Sequence, residues 1–296
     1  MSNLFPVCFY HEECTDGYAA ALAVWVFHNH GDVILWPVNY NKPFTYPWEE
    51  LAGRDVYMVD FTYKDLDLML DIYEASKSFT IFDHHDSAKE ILDYLELYSQ
   101  HLTRVKTAPP LHIVFDRKRA GAMITWQTLF PNPNDIPPII RYIEDFDIWR
   151  KQYPETDTIA SLLKWTPKDP ETWLKLFNDY SIEELAQQGL VVERTERAIT
   201  EATIRQTLRM VKFRGFTVPF ISCIKGLHSN AGDLINENYP FSVSYVDFPH
   251  CVEFSLRSRG FDVLSIAKEM GGGGHRTAAG FPLPHDQVSK HFEVIE

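Results

Sequence analysis

Basic residues are scarce in this 296-residue chain: 28 Lys and Arg stand against 41 Asp and Glu, a formal net charge of -13. Binding to a long nucleic-acid duplex or to an anionic membrane rests on a surplus of Lys and Arg, so neither is an expected partner. Cysteine is sparse too. Cys8, Cys14, Cys223 and Cys251 form no CxxC pair and are expected as reduced thiols rather than a disulfide framework. No apolar run reaches the roughly 18 residues that a membrane span needs. No basic segment followed by an apolar one opens the sequence, so no secretory signal is expected and the cytoplasm is the expected location. Internal repeats and low-complexity segments are missing as well. What is present forms cores: 45% of residues are hydrophobic and 14% aromatic, in a length that suits one large domain or two ordinary ones.

The first 130 or so residues alternate apolar runs with helix-like segments. Runs at 7–10, 33–38, 55–59, 79–82 and 111–115 read as strands; 17–27, 65–73 and 88–97 read as helices. Such alternation argues for a parallel sheet covered on both faces. Residues 117–180 read as mostly helical, and 181–210 as one long helix that opens on Ser181-Ile182-Glu183-Glu184 with acids in its first turn. Strands return at 217–223, 241–246 and 251–256, with helices near 231–236 and 263–269. The expected fold is α/β: a doubly wound, mostly parallel sheet joined by a long helix to a smaller α/β C-terminal domain. The expected boundaries are 1–185 for the first domain, 186–212 for the helical linker and 213–296 for the second domain.

Acids and imidazoles gather at the ends of these strands. His11 and Asp16-Gly17 follow the first, Asp60 the third and Asp83-His84-His85 the fourth; Glu144-Asp145-Phe146-Asp147 follows a further apolar run, read as a strand, at 139–143. Each alone is ordinary, because a carboxylate at a strand end commonly caps the next helix and Asp-Gly commonly makes a turn. A doubly wound sheet, however, delivers the carboxyl ends of its strands to one rim. Carboxylates crowded there repel one another, and a cation is the simplest compensation. Carboxylate with imidazole is a donor set for Mn, Fe, Co or Zn rather than Ca. Far downstream, Gly271-Gly272-Gly273-Gly274-His275-Arg276 offers backbone that a ligand can approach closely and successive N–H groups for an anion nest. Arg257-Ser258-Arg259 adds a second grip suited to phosphate. Trp149, just after Asp147, either stacks on a base or packs.

The set His11…Asp16-Gly17, Val59-Asp60, Asp83-His84-His85, Asp145 or Asp147, and the run from Gly271 to Phe281 resembles the DHH phosphoesterase superfamily with its DHH-associated C-terminal domain. Order and approximate spacing match over nearly the whole chain. The resemblance implies a catalytic, metal-binding DHH domain at 1–185 and a substrate-binding domain at 213–296. It implies two divalent ions, Mn²⁺ first, with Mg²⁺, Co²⁺, Fe²⁺ or Zn²⁺ as alternatives. Asp60 would bridge them. Asp16, His84 and one of Asp145 and Asp147, with Asp145 preferred, would complete one site, and His11 would belong to the other. His85 would face the substrate phosphate, and Asp83 would orient the imidazoles. Arg257, Ser258, Gly272, Gly273, Gly274, His275 and Arg276 would hold substrate.

The chain departs from the family pattern at one point. Many members carry an aspartate two positions before the Asp-Gly aspartate; here it is Cys14, which either ligates as a soft donor or packs. The activity implied is phosphodiester hydrolysis by a metal-activated water, degrading short oligonucleotides or dinucleotides to mononucleotides, as in nanoRNase- or oligoribonuclease-like enzymes. The alternatives are hydrolysis of a cyclic or linear dinucleotide signal, a nucleotide phosphomonoesterase of the pAp type, and a nucleotide-binding module whose catalysis has lapsed. A homodimer is compatible with all of them.

Overall fold

A computed structural model describes residues 4–12, 14–40, 42–105 and 108–295. Residues 1–3, on which the expectation about a leader partly rests, lie outside the described residues. The chain divides into two compact units, Met1–Leu190 and Val191–Glu296.

The first unit runs β1 (Val7–His11), α1 (Thr15–Phe27), β2 (Ile34–Val38), α2 (Trp48–Leu51), β3 (Asp55–Val59), α3 (Leu66–Ala75), β4 (Ser78–Asp83), α4 (Lys89–Val105) and β5 (Leu111–Phe115). Four helices follow: α5 (Gly121–Leu129), α6 (Ile139–Asp147), α7 (Thr156–Trp165) and α8 (Pro170–Asn178); α9 (Ile182–Thr207) carries the chain on into the second unit. The five strands are all parallel, in the order β2-β1-β3-β4-β5. Both faces are covered, which is why the strands are apolar on both sides. Tyr57, Val59 and Phe82 pack on the face that holds Leu22, Trp126 and Trp173. Val56, Met58, Phe79 and Ile81 pack on the other, with Phe9, Met69 and Tyr73. Residues 19 to 23 of α1 are all Ala or Leu and wholly buried; small side chains let α5 lie close against them. The chain leaves β1 to one side for β2 and returns to its other side for β3. The topological switch point, where open α/β sheets bind ligands, therefore lies between the carboxyl ends of β1 and β3.

The second unit holds β6 (Arg209–Phe213), β7 (Phe216–Ser222), α10 (His228–Ile235), β8 (Ser242–Asp247), β9 (Val252–Arg257), α11 (Val263–Glu269), β10 (Gly273–His275), β11 (Ala278–Leu283), α12 (His285–His291) and β12 (Glu293–Ile295). Its sheet has the order β10-β11-β9-β8-β7-β6-β12, antiparallel except for the β7–β8 pair. Phe213, Phe254, Phe281 and Phe292 form its centre, with near-parallel rings 4.5 Å apart for Phe213–Phe292 and 4.6 Å for Phe254–Phe292.

The α/β expectation and the parallel order hold. Three local readings are corrected. Residues 139–147 are helix α6 and not a strand, because Ile139, Ile140 and Ile143 are buried at helical spacing. The long helix stops at Thr207; Arg209–Phe213 turns back as a strand through Arg214-Gly215, whose φ values of 50 and 82 suit the two-residue hairpin turn that matches strand twist. The glycine run divides between a helix cap and β10. Among the described residues, no helix is long and apolar enough to cross a membrane.

Candidate metal centre

Asp60 immediately follows β3 at the switch point. Its amide donates to Phe82 O at 2.8 Å, and its φ of +54 is left-handed. That conformation is uncommon outside glycine, and where it persists it often marks a functional site. The side chain is 1% exposed. Oδ1 lies 3.1 Å from His84 Nε2, and Oδ2 lies 3.6 Å from His11 Nδ1. Gly17 and Gly121 make room for it. A Cβ on Gly121 would sit 2.7 Å from Asp60 Cβ, and one on Gly17 would sit 2.7 Å from His11 O and 3.1 Å from Asp60 Oδ2.

Asp16 enters from the first turn of α1, buried like Asp60. Its carboxylate accepts from the amides of Gly121 at 2.6 Å and Ala122 at 3.0 Å. These amides belong to the N-terminus of α5, where free donors and the helix dipole favour an anion. Asp16 Oδ2 is 4.0 Å and Asp147 Oδ2 3.5 Å from His84 Nε2. Asp83 is wholly buried and works one layer out. Its Oδ1 accepts from the amides of His84 at 2.7 Å and His85 at 3.0 Å and lies 2.8 Å from His85 Nδ1. Its Oδ2 accepts from Thr62 Oγ1 at 2.5 Å.

Three overlapping groups of donors result: His11, Cys14 and Asp60; Asp60, His84 and His85; and Asp16, His84 and Asp147. Within each, one donor atom per residue lies within 4.8 Å of the others. The crowding shows in the protonation equilibria. Burial, then the Asp60 and Asp147 carboxylates, raise Asp16 well above the usual carboxylate range. Burial and Asp60 push Asp147 up to about 6. Burial works against charge on Asp60 too, but contacts from His11 and His84 overcome it and hold its pKa down. Burial likewise opposes protonation of His85, yet its bond to Asp83 and the Asp60 charge lift it to about 9. Burial and the Asp60, Asp147 and Asp16 carboxylates push the Cys14 thiol up.

The donor set fits a divalent cation. Asp60 Oδ2 and His11 Nδ1 are buried and have no hydrogen-bond partner among the described residues, although buried polar atoms are nearly always paired. They face each other across 3.6 Å, and a positive ion would satisfy both.

Of the residues singled out from sequence, the structure brings His11, Asp16, Asp60, His84, His85 and Asp147 together, with Asp83 behind them. It does not bring Asp145. That carboxylate, 0% exposed, accepts from the amides of Gln152 at 2.9 Å and Tyr153 at 3.3 Å and from Thr156 Oγ1 at 2.5 Å. Burial would raise its pKa, but these bonds hold it below the usual value. It ties residues 152–156 to α6, and Asp147 rather than Asp145 lies among the other donor atoms. Three partners were missed: Thr62, and the amides of Gly121 and Ala122. Trp149 does not pack into the core; it is 68% exposed, with Lys151 Nζ 4.3 Å from its ring.

In the second unit, the Arg257 guanidinium donates to Ser229 Oγ at 3.3 Å, Ser255 Oγ at 2.7 Å and Leu256 O at 3.0 Å. Ser258 Oγ donates to Phe261 O at 2.6 Å, so its hydroxyl closes its own loop. The expected nest is largely used up. Gly271, at φ +80, donates to Lys268 O at 3.0 Å, and Gly272 donates to Ala267 O at 2.8 Å, the pattern that caps a helix end. Gly273 and Gly274 pair with Gly280 and Ala279 of β11. His275 and Arg276 are exposed.

No protein-family model matches the chain. A curated protein of Acanthamoeba polyphaga mimivirus, named uncharacterized protein R106, is 24% identical over 310 residues, spanning 98% of this chain and 70% of that protein. Among solved structures, exonuclease RecJ bound to manganese superposes with a TM-score of 0.55 at 13% identity, over 95% of this chain and 86% of that one. An exopolyphosphatase-related protein from Bacteroides fragilis superposes with a TM-score of 0.50 at 16% identity, over 94% and 86%. These likenesses are likenesses of fold.

Proposed function

We propose that this chain is a metal-dependent phosphodiesterase that hydrolyses short oligonucleotides or dinucleotides to mononucleotides. One observation carries this reading: Asp60, buried and left-handed at the switch point, turns one oxygen toward His84 and leaves the other unpartnered before His11. A carboxylate placed in that way suits two cations at once. His11 would hold one, and Asp16, His84 and Asp147 the other, with Mn²⁺ the first candidate. Bound there, the ions would supply Lewis-acid activation of water and of the phosphoryl oxygens.

The chain's own groups do the positioning. The α5 amides fix Asp16, and Asp83 fixes His85 through Nδ1. Nε2 of His85 is then the nitrogen available to donate to a substrate phosphate as charge develops on it. A nucleotide substrate is supported by the resemblance to the DHH superfamily and by the fold shared with an exonuclease. Exposed Trp149 offers a face on which a base can stack. The net charge of -13 favours short substrates over long strands. In the second unit, Arg257, with His275 and Arg276, is assigned to hold a phosphate.

The test is Mn²⁺-dependent release of AMP from a 5′-labelled diadenylate, extended to pAp, to cyclic dinucleotides and to longer single strands. The wild type should release mononucleotide and Asp60→Asn should not. Tight binding without turnover on every substrate would refute the enzyme and leave a nucleotide-binding module.

A further inference from the structure

Packing and capping do not explain Cys14. Cys8, in β1, packs among apolar side chains with no exposed surface; Cys14 is half-buried, with its thiol turned in beside the Asp60, Asp147 and Asp16 carboxylates. It occupies the N-cap of α1 with extended dihedrals, φ -94 and ψ 136, and its side chain makes no capping hydrogen bond. Ser, Asp or Asn at such a position would stabilise the helix by about 1 kcal/mol, so a thiol there serves something other than the helix. Its sulfur lies within 4.8 Å of donor atoms of both His11 and Asp60. Each of those two residues carries a buried atom with no hydrogen-bond partner among the described residues, Asp60 Oδ2 and His11 Nδ1. The residue that supplies Oδ2 is 1% exposed.

The two ends of the centre therefore differ in chemistry. One gathers Asp16, His84 and Asp147, two carboxylates and an imidazole; the other gathers His11, Cys14 and Asp60, an imidazole, a thiol and a carboxylate. Thiolate donors select Zn²⁺, Fe²⁺ or Co²⁺ over harder ions, whereas carboxylates suit Mn²⁺ and Mg²⁺.

We propose that Cys14 Sγ is a metal ligand, forming with His11 and Asp60 a site for a thiophilic divalent ion beside a harder carboxylate-rich site. The sulfur–metal bond forms as the thiol gives its proton to solvent; no oxidant or reductant is involved. The proposal rests on the metal-centre reading above and goes beyond it in naming the ligand and the metal class.

The test uses the full-length, metal-stripped, reduced protein titrated with Co²⁺. Near-ultraviolet absorption reports thiolate-to-cobalt charge transfer, and equilibrium dialysis counts the ions bound. The wild type should develop the charge-transfer band as the His11 site fills. Cys14→Ser should fold with a thermal midpoint no lower than that of the wild type, lack the band and bind at that site at least about tenfold more weakly, since even outer partners of metal ligands are worth roughly 10–100-fold. Cys14→Asp should bind without the band and shift the preference from Zn²⁺ toward Mn²⁺. Two Co²⁺ bound per wild-type chain without a band, or a band that survives in Cys14→Ser, would overturn the proposal and leave the metal centre standing. Binding of no Co²⁺ at all would overturn both.

Discussion

Gly121→Ala tests the close approach between α5 and β3 that shapes the centre. The added Cβ would lie 2.7 Å from Asp60 Cβ and 3.0 Å from both Asp60 Cα and Asp16 Oδ2. Carbon pairs rest at about 3.5–4.0 Å, so Asp60 or the start of α5 must yield by roughly 0.8 Å. Such overpacking costs about 1–3 kcal/mol. Replacing glycine with alanine in a helix returns about 0.5–1 kcal/mol, which leaves a net loss of about 1 kcal/mol. In a unit of this size that lowers the melting temperature by about 2–4 °C. The site suffers far more. Asp60 belongs to two of the three donor groups, and Asp16 is held by the very amide of residue 121. A displacement near 1 Å is of the size that costs roughly 100-fold at a reacting centre. Thermal unfolding of the metal-stripped protein and isothermal titration with Mn²⁺ measure the two effects separately, with Gly260→Ala, which meets nothing within 4 Å, as the control. The expected result is a small shift in melting temperature with Mn²⁺ affinity reduced by about 10–100-fold. Wild-type affinity in Gly121→Ala would refute the reasoning. So would a melting temperature lowered by tens of degrees, since the loss would then be one of folding rather than of ligand placement.

Asp145→Asn and Asp147→Asn should separate: the first destabilises the fold by about 2 kcal/mol by weakening charge-assisted bonds to residues 152–156, while the second leaves thermal stability nearly intact and weakens Mn²⁺ binding; equal effects in the two assays would contradict the assignment. Thr62→Val removes the donor to buried Asp83 and should cost about 1.5–3 kcal/mol in urea unfolding; a cost under half of that would place Asp83's support elsewhere. The metal-free protein should lose stability as pH rises. His85, lifted to about 9, stabilises fully below its unfolded value near 6.5 and loses that contribution as pH climbs through 9, while Asp147, lifted to about 6, adds a penalty between about 4 and 6. A melting temperature that rose over the range from about 5 to 9 would refute this sign.

The parallel sheet was legible because each strand is an apolar run closed by a polar residue, and the order of the donors along the chain showed which strand ends carry them. His11, Asp60 and Asp83-His84-His85 needed nothing more than that, since a strand's carboxyl end reaches the ligand edge by topology alone. What holds Asp16 was not legible. Its partners, the amides of Gly121 and Ala122, lie 105 and 106 residues away, and no local signal marks a helix N-terminus that serves another helix's carboxylate. Strand β6 carried a signal that was overlooked: Val211 and Phe213 flank Lys212 just before Arg214-Gly215, a period of two rather than a helical one. Asp145 and Asp147 show most clearly how one wrong element misleads. Two positions apart on a strand, both would point to the same face. On a helix they lie about 200° apart. Once residues 139–147 are a helix, Asp147 falls four and seven positions after buried Ile143 and Ile140, in the stripe that faces the body of the unit. Asp145 falls on the opposite flank, where the residues that follow α6 cover it and consume its lone pairs. Which of the two aspartates joins the donor cluster therefore follows from helical phase, and the pair of aspartates alone could not reveal it.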